Sequence, residues 1–163
     1  MATTVYTGAD GTISVAVEAG PAGDAAKAVA EKYSLTPIGR ATGVTVRVTN
    51  AVKAFHELGQ RFATELRPGN VDVHGTIQRA HINGALLRLM LGEAADNRPA
   101  GAFVAPSFNL SMELKNPNVP DSVATVTVMG VQINEWNYAM PEDDYVLEDV
   151  HFRGLWLKTE DKG

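Results

Sequence analysis

At 163 residues and 17.4 kDa, the chain has the length of one domain, residues 1–163, with enough material to bury a single core. Hydrophobic residues make up 45% and charged residues 20%, which excludes disorder as the default state. There is no cysteine, so disulfide scaffolds and thiolate metal sites are excluded. A net charge of −5 argues against gripping nucleic acid by its phosphates. No run approaches the ~20 apolar residues of a membrane span, and Met1 to Val5 lack the basic and apolar regions of a secretory signal. The expectation is a soluble, cytoplasmically made, acidic globular domain.

Strand signals dominate along the chain. Thr12 to Val17 alternate with the two-residue period of a strand and follow the turn-prone Asp10-Gly11. Gly20 to Gly23 break that strand. The alanine-rich stretch Asp24 to Tyr33, with Asp24 as N-cap, is compatible with a short helix, but a segment this short is marginal alone. Alternation returns at Val44, Val46 and Val48, again over Val71 to Ile77, and again over Phe108 to Leu114. Ala124 to Ile133 is rich in β-branched residues, and Tyr145 to Leu157 forms a last long extended segment. Turn-like clusters at Arg67 to Asn70, Asn116 to Asp121 and Pro141 to Asp144 separate these runs.

One segment departs from the strand period. Ile82 to Leu91 places Leu86, Leu87, Leu89, Met90 and Leu91 around most of a helix circumference, with Gly92 to stop it. A buried helix containing Ile82, Leu86, Leu89 and Met90 is expected. Many short strands and one such helix predict a mainly β fold, an antiparallel sandwich or barrel with the helix at its side.

Catalytic motifs are missing. The chain has no phosphate-binding loop and no Gly-x-Ser-x-Gly elbow. His56-Glu57 begins like a zinc helix, but position 60 is Gln. His56, His74, His81 and His151 are scattered. The acids Glu142, Asp143, Asp144, Glu148 and Asp149 could hold a hard cation, yet they lack the spacing of a calcium loop. Solvated acids, or partners for a neighbouring subunit's bases, fit them better. Trp136, Tyr138 and Trp156 allow a sugar or small-molecule platform, although packing is the commoner use of such aromatics. No enzyme activity, cofactor or metal is expected.

The block His56-Glu57-Leu58-Gly59-Gln60-Arg61, then Glu65 to Gly69, then Val71 to Leu87 with its Gly-Thr-x-x-Arg-Ala strand, resembles the tail tube proteins of tailed bacteriophages. Inner-tube proteins of phage-derived contractile injection systems share this resemblance. The second half agrees, through Ser107 to Leu114, the Asn-Pro loop, Gly130 to Trp136, and Pro141 to Phe152. The resemblance implies a structural virion protein, made in the host cytoplasm, whose six copies form a ring. Rings would stack into the tube through which DNA leaves, with tail sheath, tape measure, baseplate and tail terminator proteins as partners. The alternatives are a terminator or connector ring of a virion, or the inner tube of a phage-derived contractile injection system. Six subunits at −5 place −30 on each ring, and a negative lumen would let double-stranded DNA slide without binding it.

Residues expected at subunit contacts are Glu57, Arg61, Glu65, Arg67, Arg79, Asn116, Asp143, Asp144, Glu148 and Asp149. Part of the set Glu57, Arg61, Glu65 and Arg79 is expected to form ion pairs, within the subunit or across the ring. Arg67-Pro68-Gly69 and Asn116 to Asp121 are expected between rings. The acidic cluster is expected to be an electrostatic seam facing Arg153, Lys158, Arg40, Arg47 or Lys53 of a neighbour.

Overall fold

A computed structural model describes residues 5–34 and 38–162. Its organising element is strand β7, the 17 residues Val123–Ala139. Strands β8 (Leu147–Gly154) and β9 (Trp156–Lys162) run antiparallel beside it, one after the other, from Ala139↔Leu147 to Val123↔Lys162. The extended segment expected from Tyr145 to Leu157 is therefore two strands in one line, interrupted at Leu155. At that interruption Gly130 adopts a φ of 65°, and a side chain there would meet Leu155. Glycine is required at this point, because L side chains rarely take that conformation.

The long ribbon carries a half-sheet on each side. Strand β6 (Phe108–Lys115) pairs with the first part of β7, and β1 (Gly11–Val17) pairs with β6. On the other side β5 (Val71–Ala80) pairs with β8, and β2 (Ala41–Asn50) pairs with β5. All pairings are antiparallel, and the path β1-β6-β7-β8-β5-β2 curls into a half-barrel. Register shifts between Phe108 and Leu110 and between Ile133 and Glu135 mark bulges, which increase local twist. The mainly antiparallel β architecture with a buried helix beside it agrees with the sequence.

Two helices cover the core. Helix α1 (Pro21–Tyr33) begins at Pro21, whose fixed φ suits a first helical position, so Asp24 lies in the first turn and is not the N-cap. It buries Gly23, Ala26 and Val29 and packs on β1, β6 and helix α2. Helix α2 (Ala85–Leu91) packs on β7 and has no exposed residue; Leu86 and Leu89 are fully buried and Met90 packs against the core. The expected start at Ile82 is corrected. Asn83 Oδ1 accepts a hydrogen bond from Ala85 N at 3.1 Å, a local bond that ends the helix there, and Ile82 is left 55% exposed. No helix among the described residues is long and apolar enough to cross a membrane.

Leu86→Ala or Leu89→Ala should each destabilise the unassembled subunit by about 2–5 kcal/mol in denaturant titrations, through lost transfer energy and the cavity left behind. Ile82→Ala should change it by no more than ~0.5 kcal/mol.

Candidate functional site

Three features outside the apolar core define the surfaces available for function: a buried ionic network, a protruding arm and an acidic hairpin tip.

The network arises from strand alternation. On β5 the inward row runs Val73, Gly75, Ile77, Arg79; on β8 it runs Phe152, Val150, Glu148. The register sets Gly75 opposite Phe152, Ile77 opposite Val150 and Arg79 opposite Glu148. An arginine and a glutamate thus occupy the last places of two apolar rows, and they are 1% and 0% exposed. Arg79 Nε donates to Glu148 Oε1 at 2.6 Å. Glu148 Oε2 accepts from Trp136 Nε1 and from His81 Nδ1, both at 3.0 Å, which fixes the hydrogen of His81 on Nδ1. Arg79 also reaches Asn83 Oδ1 at 3.0 Å, joining the network to the cap of α2. Tyr138 stacks on Trp136 at 5.3 Å and meets the edge of His81 at 4.9 Å. No buried side-chain nitrogen or oxygen lacks a partner among the described residues.

This corrects two expectations. Arg79 does not pair with Glu57, Arg61 or Glu65 and does not reach the surface; its partner is Glu148. Glu148 leaves the acidic cluster for the interior. Of the aromatics considered as a ligand platform, Trp136 packs against the core, Tyr138 stacks on Trp136 while 41% exposed, and Trp156 is exposed on β9.

The arm is residues 51–70. The β2–β5 hairpin continues beyond the sheet as a narrow ribbon, in which β3 (Lys53–Phe55) pairs with β4 (Glu65–Arg67). Ala51 N donates to Asn70 O, and Gly69 N donates to Asn50 Oδ1, both at 3.0 Å, which ties the ribbon to its base. Gly59, at φ 84°, serves the turn closed by Gln60 N to Glu57 O. Every residue of the arm is exposed, including Phe55, Leu58, Phe62 and Leu66. The sequence predicts a turn only at Arg67 to Asn70 of this region, so the ribbon before it is a finding of the structure. Glu65 and Arg67 pair with each other at 3.3 Å on the surface, a contact worth little alone. Glu57 and Arg61 form no ion pair among the described residues.

The tip is the turn from β7 to β8, residues 140–146. Glu142, Asp143 and Asp144 are exposed there beside Met140 and Tyr145. Asp149 lies elsewhere, on the polar face of the sheet, 3.6 Å from His151 Nε2. Two of the named candidate bases have partners of their own: Arg153 faces Asp72 at 3.6 Å and Lys158 faces Glu160 at 3.2 Å. Asn116 is buried, and its Oδ1 accepts from Asn118 N at 2.9 Å, so it shapes the 116–121 turn.

Two further surfaces complete the picture. A shallow groove of about 490 Å³ on the polar face is lined by Arg47, His74, Glu135, His151 and Arg153, a mixture of both charges. On the helical side, hydrogen bonds from Arg88 hold the Asp96 carboxyl below its ordinary range. The stability from that pair is present at neutral pH and is lost as pH falls through the depressed value. Among the described residues no three His, Asp or Glu side chains converge as a metal site.

Seven strands curled into a half-barrel, two helices at its side and a free hairpin arm make a distinctive outline. It superimposes over nearly its whole length on chains of solved tail structures. A chain of an extracellular contractile injection system, from its sheath-tube complex in the extended state, matches with a TM-score of 0.64 at 8% identity, covering 97% of this chain and 93% of that one. The chain has the tail-tube fold. A chain from the sheath/tube terminator of the same kind of system matches equally, at 0.64 and 8% identity over 98% and 99%. The SPP1 tail tube matches at 0.59 and 13% identity, over 98% and 80%. No protein-family model and no curated protein matches the sequence. The solved chains that share the tail-tube fold come from structural assemblies, not enzymes.

Arg79→Ala should destabilise the subunit by about 3–5 kcal/mol, because it strands a buried carboxylate. Arg79→Met combined with Glu148→Leu should recover most of that loss. A double-mutant cycle in denaturant, read by Trp136 fluorescence, measures both.

Proposed function

We propose that this protein is the repeating subunit of a tail tube: six copies form a ring, and rings stack into a conduit for DNA within a virion tail. The observation that carries this reading is the arm. It exposes Phe55, Leu58, Phe62 and Leu66 on a two-stranded ribbon with no cover from its own subunit, on a fold otherwise shared with tube chains. A two-stranded hairpin is marginal in water by itself, so such an arm is built to be covered by a partner. The sheet edges support the same reading. Strand β2 is bonded on one side only, and its ten residues carry none of the bulges or prolines that blunt an exposed edge over Val44 to Asn50. Pairing of edges around a ring removes them.

The acidity suits a conduit. A ring of six carries −30, and repulsion between such a wall and DNA phosphates keeps the duplex mobile. The fold's occurrence in sheath-tube, baseplate and cap structures supports sheath, baseplate and terminator proteins as partners, and the virion tail as location. A terminator ring is the second reading, favoured by the equal match to a sheath/tube terminator chain.

Electron microscopy of the purified protein should show long hollow polymers of stacked rings; single capped rings would establish the terminator instead. Replacing residues 53–67 by a short turn should leave a folded subunit that forms no polymer longer than a ring.

A further inference from the structure

The arm and the acidic tip lie at opposite ends of one half-sheet. Strand β5 leaves the arm at Val71 and reaches Ala80, ten residues or roughly 30 Å later. Ala80 pairs with Leu147, and Leu147 pairs with Ala139, so the 140–146 tip sits at that far end. The arm continues the β2–β5 hairpin in the opposite direction. An arm therefore cannot reach the tip of its own subunit.

The two ends are chemically matched. The arm has three bases (Lys53, Arg61, Arg67) and two acids (Glu57, Glu65), a basic balance in a chain of net −5. The tip has Glu142, Asp143 and Asp144 and no base. Lys53 and Arg61 on one side, and the three tip acids on the other, form no ion pair among the described residues. Each end also bears exposed apolar groups: Leu58 and Phe62 at 104% and 87% on the arm, Met140 and Tyr145 at 71% and 81% on the tip. The tip is held firmly. His81 N donates to Val146 O at 2.9 Å, and the Arg79–Glu148–Trp136 network clamps the strands behind it.

From this juxtaposition we infer that the 140–146 tip is the docking surface for the arm of a second copy of this chain. Arg61 and Lys53 meet the three acids, and Leu58 and Phe62 cover Met140 and Tyr145. The contact joins unlike surfaces, so every copy offers both an arm and a tip and the contact can repeat from copy to copy. It acts along the direction of β5, and in the tube reading it adds subunits ring upon ring. The inference rests on the tube reading for its geometry of stacking, while the contact itself can be read separately.

Absence of cysteine makes the test direct. Full-length protein bearing Leu58→Cys, mixed with full-length protein bearing Tyr145→Cys, should form a disulfide-linked pair on mild oxidation. Lys27→Cys, on the exposed face of α1, should not link to Leu58→Cys. In sedimentation, Lys53→Glu with Arg61→Glu should reduce pelleted polymer at least about tenfold, as ~1.4 kcal/mol at the contact requires. Asp143→Lys with Asp144→Lys should do the same, and the four changes together should restore assembly. Polymer without the Leu58–Tyr145 link, or undiminished by the tip reversal, overturns the inference and leaves the tube reading standing. The link without polymer keeps the contact and removes the tube. Neither link nor polymer removes both.

Discussion

The whole sheet depends on one strand having two sets of neighbours. The first part of β7 lies between β6 and β9, and its last part pairs with β8 alone. Two half-sheets therefore extend from opposite sides of the same ribbon, β6 and β1 from one and β5 and β2 from the other. Both must bury one face against the same small core, so the ribbon has to bend. Gly130 and the two bulges supply that bend. The result places the polar face and the free edges outward, with α1 and α2 closing the remaining side.

The buried Arg79–Glu148 pair illustrates how such a ribbon can end firmly. Burying an ion pair costs desolvation that the attraction only partly offsets, so its value for stability against an apolar pair is small. Its geometric value is larger. Four hydrogen bonds among side chains of β5, β7, β8 and the segment before α2 meet on one carboxylate and one guanidinium, and each fixes the others' direction. An apolar pair would fill the same space without fixing the strand ends or the cap of α2. In the inferred docking of the tip on a second copy, that rigidity holds its acids in place.

Assembly draws on what the subunit leaves unsatisfied. The core is complete, and no buried polar side chain lacks a partner among the described residues. What remains open is outside it: a strand edge on β2, an apolar arm and an acidic tip. These differ in kind, one backbone, one apolar and one ionic, and they point in different directions from the same half-sheet. In the proposed tube, these open surfaces are the ones that a neighbouring copy would cover.

The sequence by itself determined the periodic elements. Alternation marks the strands at Val71 to Ile77 and Phe108 to Leu114 because one face of each is buried, and it marks β2 at Val44 to Val48 although Val44 and Val48 stay exposed. The leucines of 85–91 mark a helix because they cover too much of a turn for a strand. Even Arg79 was legible in principle, since the period of Val73, Gly75 and Ile77 extended by one step points it inward. Other features needed tertiary structure. Ile82 looks like the start of a helix until Asn83 is seen capping Ala85. Glu148 belongs to an acidic run in sequence, and only the pairing of β5 with β8 sets it opposite Arg79, 69 residues away. The arm has no buried face to betray it, because both of its faces are exposed and its apolar residues pack on nothing in their own subunit. Local periodicity reports which residues form a strand and share a face; whether that face is buried, against what, and which ends stay open, is decided by pairings between distant segments.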